Sequence, residues 1–155
     1  ECDWSSDVCS SDLPYNKVES NGTLEQCVID SNISLILETY TSDSHIVFSE
    51  KIFRALQLPR PWLLYCSPGA VQCLAQYGFD VLLDYVDPSY DKILPHSHRL
   101  DAILNQLEQF VNRQYTNADL ARFQQAADHN QQLLQSFQQT WPAKLKSLLE
   151  QIAQL

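Results

Sequence analysis

Two short, continuous apolar runs separated by a helix-like segment constrain the fold of this chain more than any other feature. The runs ISLILETY at 33–40 and PWLLYC at 61–66 have the length of buried strands. SEKIFRALQL at 49–58 lies between them, with Ser49 as a helix cap and prolines after its last apolar residue. Strands that are buried on both faces and joined through a helix are typical of a parallel sheet.

The next two segments repeat this alternation. SPGAVQCLAQYGF at 67–79 predicts a second helix, with Ser67 as its N-cap and Pro68 at the first helical position. Gly78 fits the left-handed position that follows a helix. FDVLLDYV at 79–86 then predicts a third strand or its start. The sequence therefore predicts the α/β class, with a parallel, Rossmann-like β-α-β-α-β half-domain followed by C-terminal α-helices.

Residues 96–155 contain no glycine, and their apolar residues recur at helical spacing. Thr116 and Asp119 predict a capping box at the start of one helix. A heptad-like seam follows, in which Asn130 is the one polar member. Thr140 with Pro142 predicts a break and a new helix start. We expect these stripes to pack on their own domain, although docking on a partner is an alternative reading.

The first residues have a different character. DWSSDVCSSDL at 3–13 shows neither a helical nor a strand period. Back-translated, it matches a common short-read sequencing adapter, so we interpret residues 1–13 as an adapter-derived artefact and leave them out of the fold argument. On that interpretation an N-terminal part of the natural protein is missing. We expect a Rossmann-like, nucleotide-sugar-binding half at 14–95 and a helical region at 96–155.

Composition excludes several classes of function. The formal net charge is −9 and the ten lysines and arginines are scattered, which argues against nucleic-acid binding. The sequence has no apolar run of the length that a membrane span needs. Cys27, Cys66 and Cys73 lack the paired spacing of a zinc site, and His96 and His98 have no second cluster. We therefore expect free thiols, a cytoplasmic protein and no metal.

Candidate binding residues fall where ligands bind an open parallel sheet, beyond the carboxyl ends of the strands. They are Glu38, Glu50, Lys51, Ser67 and Gly69. Helix N-termini and a lysine suit phosphate, and a glutamate can accept hydrogen bonds from sugar hydroxyls. This set indicates a nucleotide or nucleotide-sugar site. The same residues also have a simpler reading, because the helix dipole favours glutamate in a first turn and most surface lysines are only solvated.

The order of motifs adds a resemblance over about residues 30–105. ETY, FSEKIFRAL, PRPWLLY, SPGAVQCLAQYGFDV, DPSYDKI and HRLDAIL follow one another as in a family of proteins from phages and aquatic bacteria. That family is similar in turn to the donor-binding half of GT-B glycosyltransferases, especially the fucosyltransferase group. The resemblance implies that Glu50 binds the ribose and Lys51 the diphosphate of a nucleotide sugar, without a metal or other cofactor. Ser49 stands where the more usual residue is Thr.

Two functions remain open at this point. The first is the donor-binding C-terminal part of a glycosyltransferase, whose partners are a nucleotide-diphosphate sugar, an unknown acceptor and the missing N-terminal domain. Its catalytic base is expected in the missing half, so no catalytic residue is assigned. The second is a non-enzymatic interaction module that uses the Gln/Leu-rich helices of 96–155. DPSYD at 87–91 offers an acidic pair, but we interpret it as an ordinary turn fixed by Pro88.

Overall fold

The computed structural model describes residues 31–39, 41 and 45–152, so our interpretation of residues 1–13 lies outside the described residues. The helices and strands of the described residues belong to the unit Asn32–Leu155. In chain order they are β1 (Ser34–Leu37), α1 (Glu50–Ala55), β2 (Trp62–Tyr65), α2 (Ala70–Gln76), a 3-10 helix (Pro88–Lys92), α3 (His96–Val111) and α4 (Asn117–Ile152). In the part of the chain that the structure describes, no helix combines the length and apolar character needed to cross a membrane.

The two predicted strands pair as expected. β1 and β2 are parallel, in a register that runs from Ser34 opposite Trp62 to Leu37 opposite Tyr65. The helix α1 connects them, and Ser49 caps it by accepting a hydrogen bond from a first-turn N–H. The predicted α/β class and the parallel β-α-β unit are thus confirmed.

The predicted third strand is wrong, because residues 79–86 form turns and irregular structure. The tyrosine hydroxyl of Tyr90 accepts a hydrogen bond from the N–H of Leu64 at 3.2 Å, on the edge of β2 that faces away from β1. A side chain therefore occupies a position where a third strand would pair. Leu82 also has a left-handed φ of 55°, which no strand allows. Its N–H bonds to the Asp80 carboxylate at 3.1 Å instead of to a neighbouring strand.

The sheet is covered unequally. The helix α3 packs against β2, and Leu63 is fully buried there. On the same face of the neighbouring strand, Leu35 and Leu37 of β1 are 37% and 54% exposed. We predicted burial on both faces for both strands. That prediction is right for β2. It is wrong for β1, because Leu35 and Leu37 on one of its faces remain partly exposed to solvent.

The start of α2 also differs from the prediction. Gly69, not Ser67, is the N-cap, with a left-handed φ of 83°, and Pro68 lies outside the helix. The Ser67 hydroxyl is turned away from the helix and donates to the carbonyl of His45 at 2.7 Å. A distant segment caps the helix instead, since the Asp91 carboxylate accepts the first-turn N–H of Gln72 at 3.1 Å. The N–H of Gly69 also donates to the carbonyl of Asp91 at 2.8 Å.

The end of α2 is as predicted. Gly78 has a φ of 93° and follows Tyr77, the C-cap residue of the helix. Its N–H bonds to the carbonyl of Ala75 at 3.0 Å, and the N–H of Phe79 bonds back to Leu74 at 3.1 Å. These two bonds form a Schellman motif, which satisfies carbonyls that a helix end leaves free.

A single hydrophobic core joins the sheet to the C-terminal helices, because it contains Ile36 and Leu64 together with Ile103 and Phe123. The long helix α4 therefore packs on its own domain over this part, as predicted.

The capping box at the start of α4 is confirmed. The hydroxyl of Thr116 accepts the N–H of Asp119 at 3.2 Å, and the Asp119 carboxylate accepts the N–H of Thr116 at 2.7 Å. The predicted break at Thr140 and Pro142 is wrong, since α4 continues to Ile152. The Thr140 hydroxyl bonds backwards to the carbonyl of Ser136 at 2.9 Å instead of capping a new helix.

Candidate functional site

The carboxyl end of β1 is tied to the start of α1 by a buried carboxylate. Glu38 follows β1 directly and is only 7% exposed. Its Oε1 accepts the N–H of Ser49 at 3.0 Å. This bond fixes Ser49, the residue that caps α1. Glu38 therefore stabilises this edge of the sheet from a buried position. A hydrogen bond to a charged acceptor is among the stronger ones.

Ser49, Glu50 and Lys51 gather at this edge as expected from their spacing. The Ser49 hydroxyl oxygen accepts the N–H of Lys51 at 3.3 Å, and the Lys51 ammonium lies 3.4 Å from the same oxygen. The ammonium is also 3.8 Å from the Glu50 carboxylate, and both side chains are about half exposed. An exposed pair of this kind contributes little stability.

The loop before α1 lies against the turn that follows β2. The Ser67 hydroxyl donates to the carbonyl of His45, and the Cys66 thiol lies 3.6 Å from the carbonyl of Val47. A methyl group built on Gly69 would lie 4.0 Å from Ile46. The structure therefore brings Ser67 and Gly69 beside the loop that leads into Ser49. The order of strands and helices in the sequence predicts the same edge for Ser67 and Gly69.

Asp91 occupies the position where the sequence indicated a phosphate. Its side chain is buried, and its Oδ2 accepts the N–H of Gln72 at 3.1 Å in the first turn of α2. Burial raises the pKa of this carboxyl, while the N–H groups of Gln72, Val71 and Ala70 act to lower it. The start of α2 is thus already bound to a carboxylate of the chain.

A buried arginine lies beside the last residue of β2. Arg99 is 1% exposed and its guanidinium carbon is 5.6 Å from the ring centre of Tyr65. Nη1 donates to the carbonyl of Ile93 at 2.6 Å, and Nη2 is 2.9 Å from Nδ1 of His96. The Tyr65 hydroxyl lies 3.3 Å from the same ring nitrogen. Reasoning from the sequence assigned no role to Tyr65 or Arg99, although Arg99 belongs to the motif HRLDAIL.

The DPSYD segment is structural, as we interpreted it. Asp87 caps the 3-10 helix by accepting from the N–H of Ser89 at 2.9 Å and from its hydroxyl at 2.8 Å. These bonds lower the pKa of the Asp87 carboxyl. The hydroxyl of Tyr90 accepts a hydrogen bond from the edge of β2, and the carboxylate of Asp91 accepts one from the first turn of α2. No group of three or more potential metal ligands converges within the described ranges, and His96 contacts Arg99 and Tyr65.

A shallow depression on α4 lies at the other end of α2. It is lined by Ala121, Gln124, Gln125, Asp128, His129 and Gln132. His129 contacts the carbonyl of Gly78, the residue that terminates α2, at 2.8 Å. None of the predicted site residues lies in this depression.

Comparison of the chain with protein-family models, with curated proteins and with solved structures found no match. The case for a site therefore depends on the carboxyl edge itself. That edge presents the Lys51 cation and the neighbouring Glu50, with Glu38 fixing the cap between the strand and the helix. Such an arrangement can hold an anion next to a hydroxyl-bearing group.

Proposed function

We propose that this chain is the donor-binding part of a glycosyltransferase and holds a nucleotide-diphosphate sugar at the carboxyl edge of β1 and β2. The observation that supports this most is the position of Lys51, whose ammonium lies 3.4 Å from the hydroxyl of the residue that caps α1. The helix α1 follows β1 in a parallel β-α-β unit, where ligands bind beyond the strand ends.

In this proposal each residue has one role. Lys51 binds the diphosphate and Glu50 accepts hydrogen bonds from the ribose, as the resemblance implies. Glu38 holds Ser49 in place and does not touch the ligand, because its carboxylate is buried on the Ser49 N–H. Ser67 and Gly69 shape the neighbouring turn. The acceptor and the catalytic base belong to another part of the protein, and a cytoplasmic location agrees with the free thiols of Cys66 and Cys73.

The test is calorimetric titration of nucleoside diphosphates and their sugars into the wild-type chain and into Lys51→Ala. One charge-assisted hydrogen bond is worth about 1.5–3 kcal/mol, so we expect a roughly ten- to hundredfold loss of affinity. Arg54→Ala is the matched control, since Arg54 is an exposed cation in the last turn of the same helix. Absence of binding by the wild type, or equal binding by wild type and Lys51→Ala, would contradict the proposal.

One observation favours the interaction module as a second candidate. The helix α4 continues to Ile152, beyond Phe137, the last of its described side chains that packs against the core. A long helix with an apolar stripe offers a face on which a partner helix can pack. Sedimentation equilibrium of the chain, with and without the residues after Gln139, tests this candidate for self-association. A mass that rises with concentration only in the longer chain would favour it.

A further inference from the structure

The two edges of the sheet are protected differently. At the edge of β2, the N–H of Leu64 donates to the hydroxyl of Tyr90 at 3.2 Å, so a side chain of the same chain takes the place of a third strand. At the edge of β1, the described residues supply no further strand, because their sheet consists of β1 and β2 alone. A free strand edge presents a row of N–H and C=O groups to which another strand can bind.

The backbone groups at the β1 edge belong to Leu35 and Leu37. The N–H groups of Ser34 and Glu38 each donate to a carbonyl of the segment 61–65 at 3.0 Å. Backbone groups of successive strand residues point to opposite sides of the strand, so the N–H and C=O of Leu35 and Leu37 point away from β2. Each leucine therefore offers one donor and one acceptor at this edge.

The side chains of the same two leucines are exposed. Leu37 is the more exposed of the two, and both lie on the face of the sheet on which α3 covers Leu63 of β2. Because side chains alternate along a strand, Ile36 lies between them on the opposite face, where it belongs to the core. Exposed edge strands usually carry a charge or a proline that prevents pairing. The strand SLIL has neither.

Charge favours a second copy of this chain as the occupant of the edge. The formal net charge is −9, so two copies repel one another wherever their acidic side chains meet. Within residues 31–39 the one charged residue is Glu38. Its carboxylate is turned inward, because the residue is buried and accepts the N–H of Ser49. Two copies can therefore approach at the β1 edge without bringing like charges together.

We propose that two copies of this chain pair through β1, antiparallel and about a two-fold axis at Ile36, and so form a continuous four-stranded sheet. In this register Leu35 of one copy lies opposite Leu37 of the partner subunit, and the two residues exchange both backbone hydrogen bonds. The two-fold axis repeats the pair, so every outward donor of both leucines finds an acceptor. The exposed leucines of both copies then lie on one face and pack against one another.

This inference goes beyond the proposed function and does not depend on it. Antiparallel pairing directs the carboxyl ends of the two β1 strands away from each other, so the two Lys51 side chains lie at opposite ends of the joined sheet. The pairing is also distinct from association through α4, because β1 does not require the residues after Gln139.

Sedimentation equilibrium of the chain at up to about 1 mM measures the association, since a complex with a dissociation constant of about 1 mM is then well populated. We expect the mass of the wild type to rise with concentration, with or without the residues after Gln139. Leu37→Lys places a charge on the apolar face, and Leu35→Pro removes an outward N–H that β2 does not use. Each should weaken association about tenfold or more. Leu83→Lys is the matched control, because Leu83 is an exposed leucine outside the sheet, and it should associate like the wild type.

Amide hydrogen exchange of the wild type, followed by NMR, locates the interface. The amides of Leu35 and Leu37 should exchange more slowly as the concentration of the chain rises, whereas those of Ser34 and Ile36, which face β2, should be protected at every concentration. A wild type that stays monomeric at about 1 mM overturns the inference. Association that Leu37→Lys leaves unchanged, or that leaves the exchange of Leu35 and Leu37 unchanged, lies elsewhere on the chain and also overturns it. None of these outcomes bears on the nucleotide titrations of Lys51→Ala.

Discussion

Asn130 donates a hydrogen bond from its side-chain amide to the carbonyl of Leu56 at 3.1 Å and so joins α4 to the end of α1. The same amide bonds both backbone groups of Asp80, its carbonyl at 3.0 Å and its N–H at 2.8 Å. Asn130 is 1% exposed. One buried side chain therefore holds the helix, the end of α1 and the irregular segment after α2 in a single arrangement.

Asn130→Leu should destabilise the chain severely. Leucine fills a similar volume but leaves the N–H of Asp80 and two carbonyls buried without partners. Each such group costs about 1–3 kcal/mol, so we expect the free energy of unfolding to fall by at least about 2 kcal/mol. Urea denaturation measures it, with exposed Gln131→Leu as the control. A loss below about 0.5 kcal/mol would show that water replaces these hydrogen bonds.

The structure of residues 79–86, which Asn130 binds at Asp80, could not be predicted from the sequence. Strand and helix pairs such as 33–40 and 49–58 were predictable because run length and a serine cap are local signals. FDVLLDYV has the same apolar composition as a strand, but side chains accept hydrogen bonds from two of its backbone N–H groups, that of Asp80 bonding to Asn130 and that of Leu82 to Asp80. Nothing within residues 79–86 reports a partner that lies 50 residues further along the chain.

The residues of the candidate site also fall into two groups, those that local sequence predicts and those that depend on tertiary contacts. Ser49, Glu50 and Lys51 were predictable as a cluster because they are adjacent in the sequence at a helix start. Asp91 caps α2 from a segment that the spacing of residues 67–79 could not reveal. The burial of Arg99 could not be predicted, because burial of an arginine depends on tertiary contacts.

Gly78→Ala tests the end of α2. The residue has a φ of 93°, where a side chain strains the backbone, while the added methyl group would meet Leu133 at an ordinary 3.6 Å. The expected loss is therefore conformational, about 1–2 kcal/mol in the free energy of unfolding. Gly78→Asn should lose less, because asparagine tolerates this region best among the other residues. Equal losses for alanine and asparagine would mean that space, and not φ, sets the requirement.

Asp119→Asn tests how acid destabilises the fold. The hydrogen bond from the Tyr85 hydroxyl, with two more from Thr116, lowers the pKa of the Asp119 carboxyl to about 2. A carboxyl whose pKa is depressed by folding contributes stability above its unfolded value of about 3.9, and this is lost as the pH falls toward 2. Asn keeps an acceptor but does not titrate. Its melting temperature should therefore fall less steeply than that of the wild type between pH 4 and 2.

The control for Asp119→Asn is Asp101→Asn, which removes an exposed carboxylate of α3 that bonds no other described side chain. It should keep the slope of the wild type. Parallel slopes for wild type and Asp119→Asn would show that the capping box and the Tyr85 bond are not formed in solution.

Asp91→Asn should change stability with pH in the opposite sense. Burial raises the pKa of the Asp91 carboxyl, so the folded chain retains a proton that the unfolded chain releases. The contribution is complete below the unfolded value of about 3.9 and is lost as the pH rises through the higher, folded value. Asparagine keeps an oxygen for the N–H of Gln72 and does not titrate. Relative to the wild type, the variant should therefore gain stability as the pH rises above about 4, measured by urea denaturation at each pH. Asp101→Asn serves again as the control, and a variant that loses stability relative to the wild type over this range would show that the ionised carboxylate stabilises α2 more than burial opposes it.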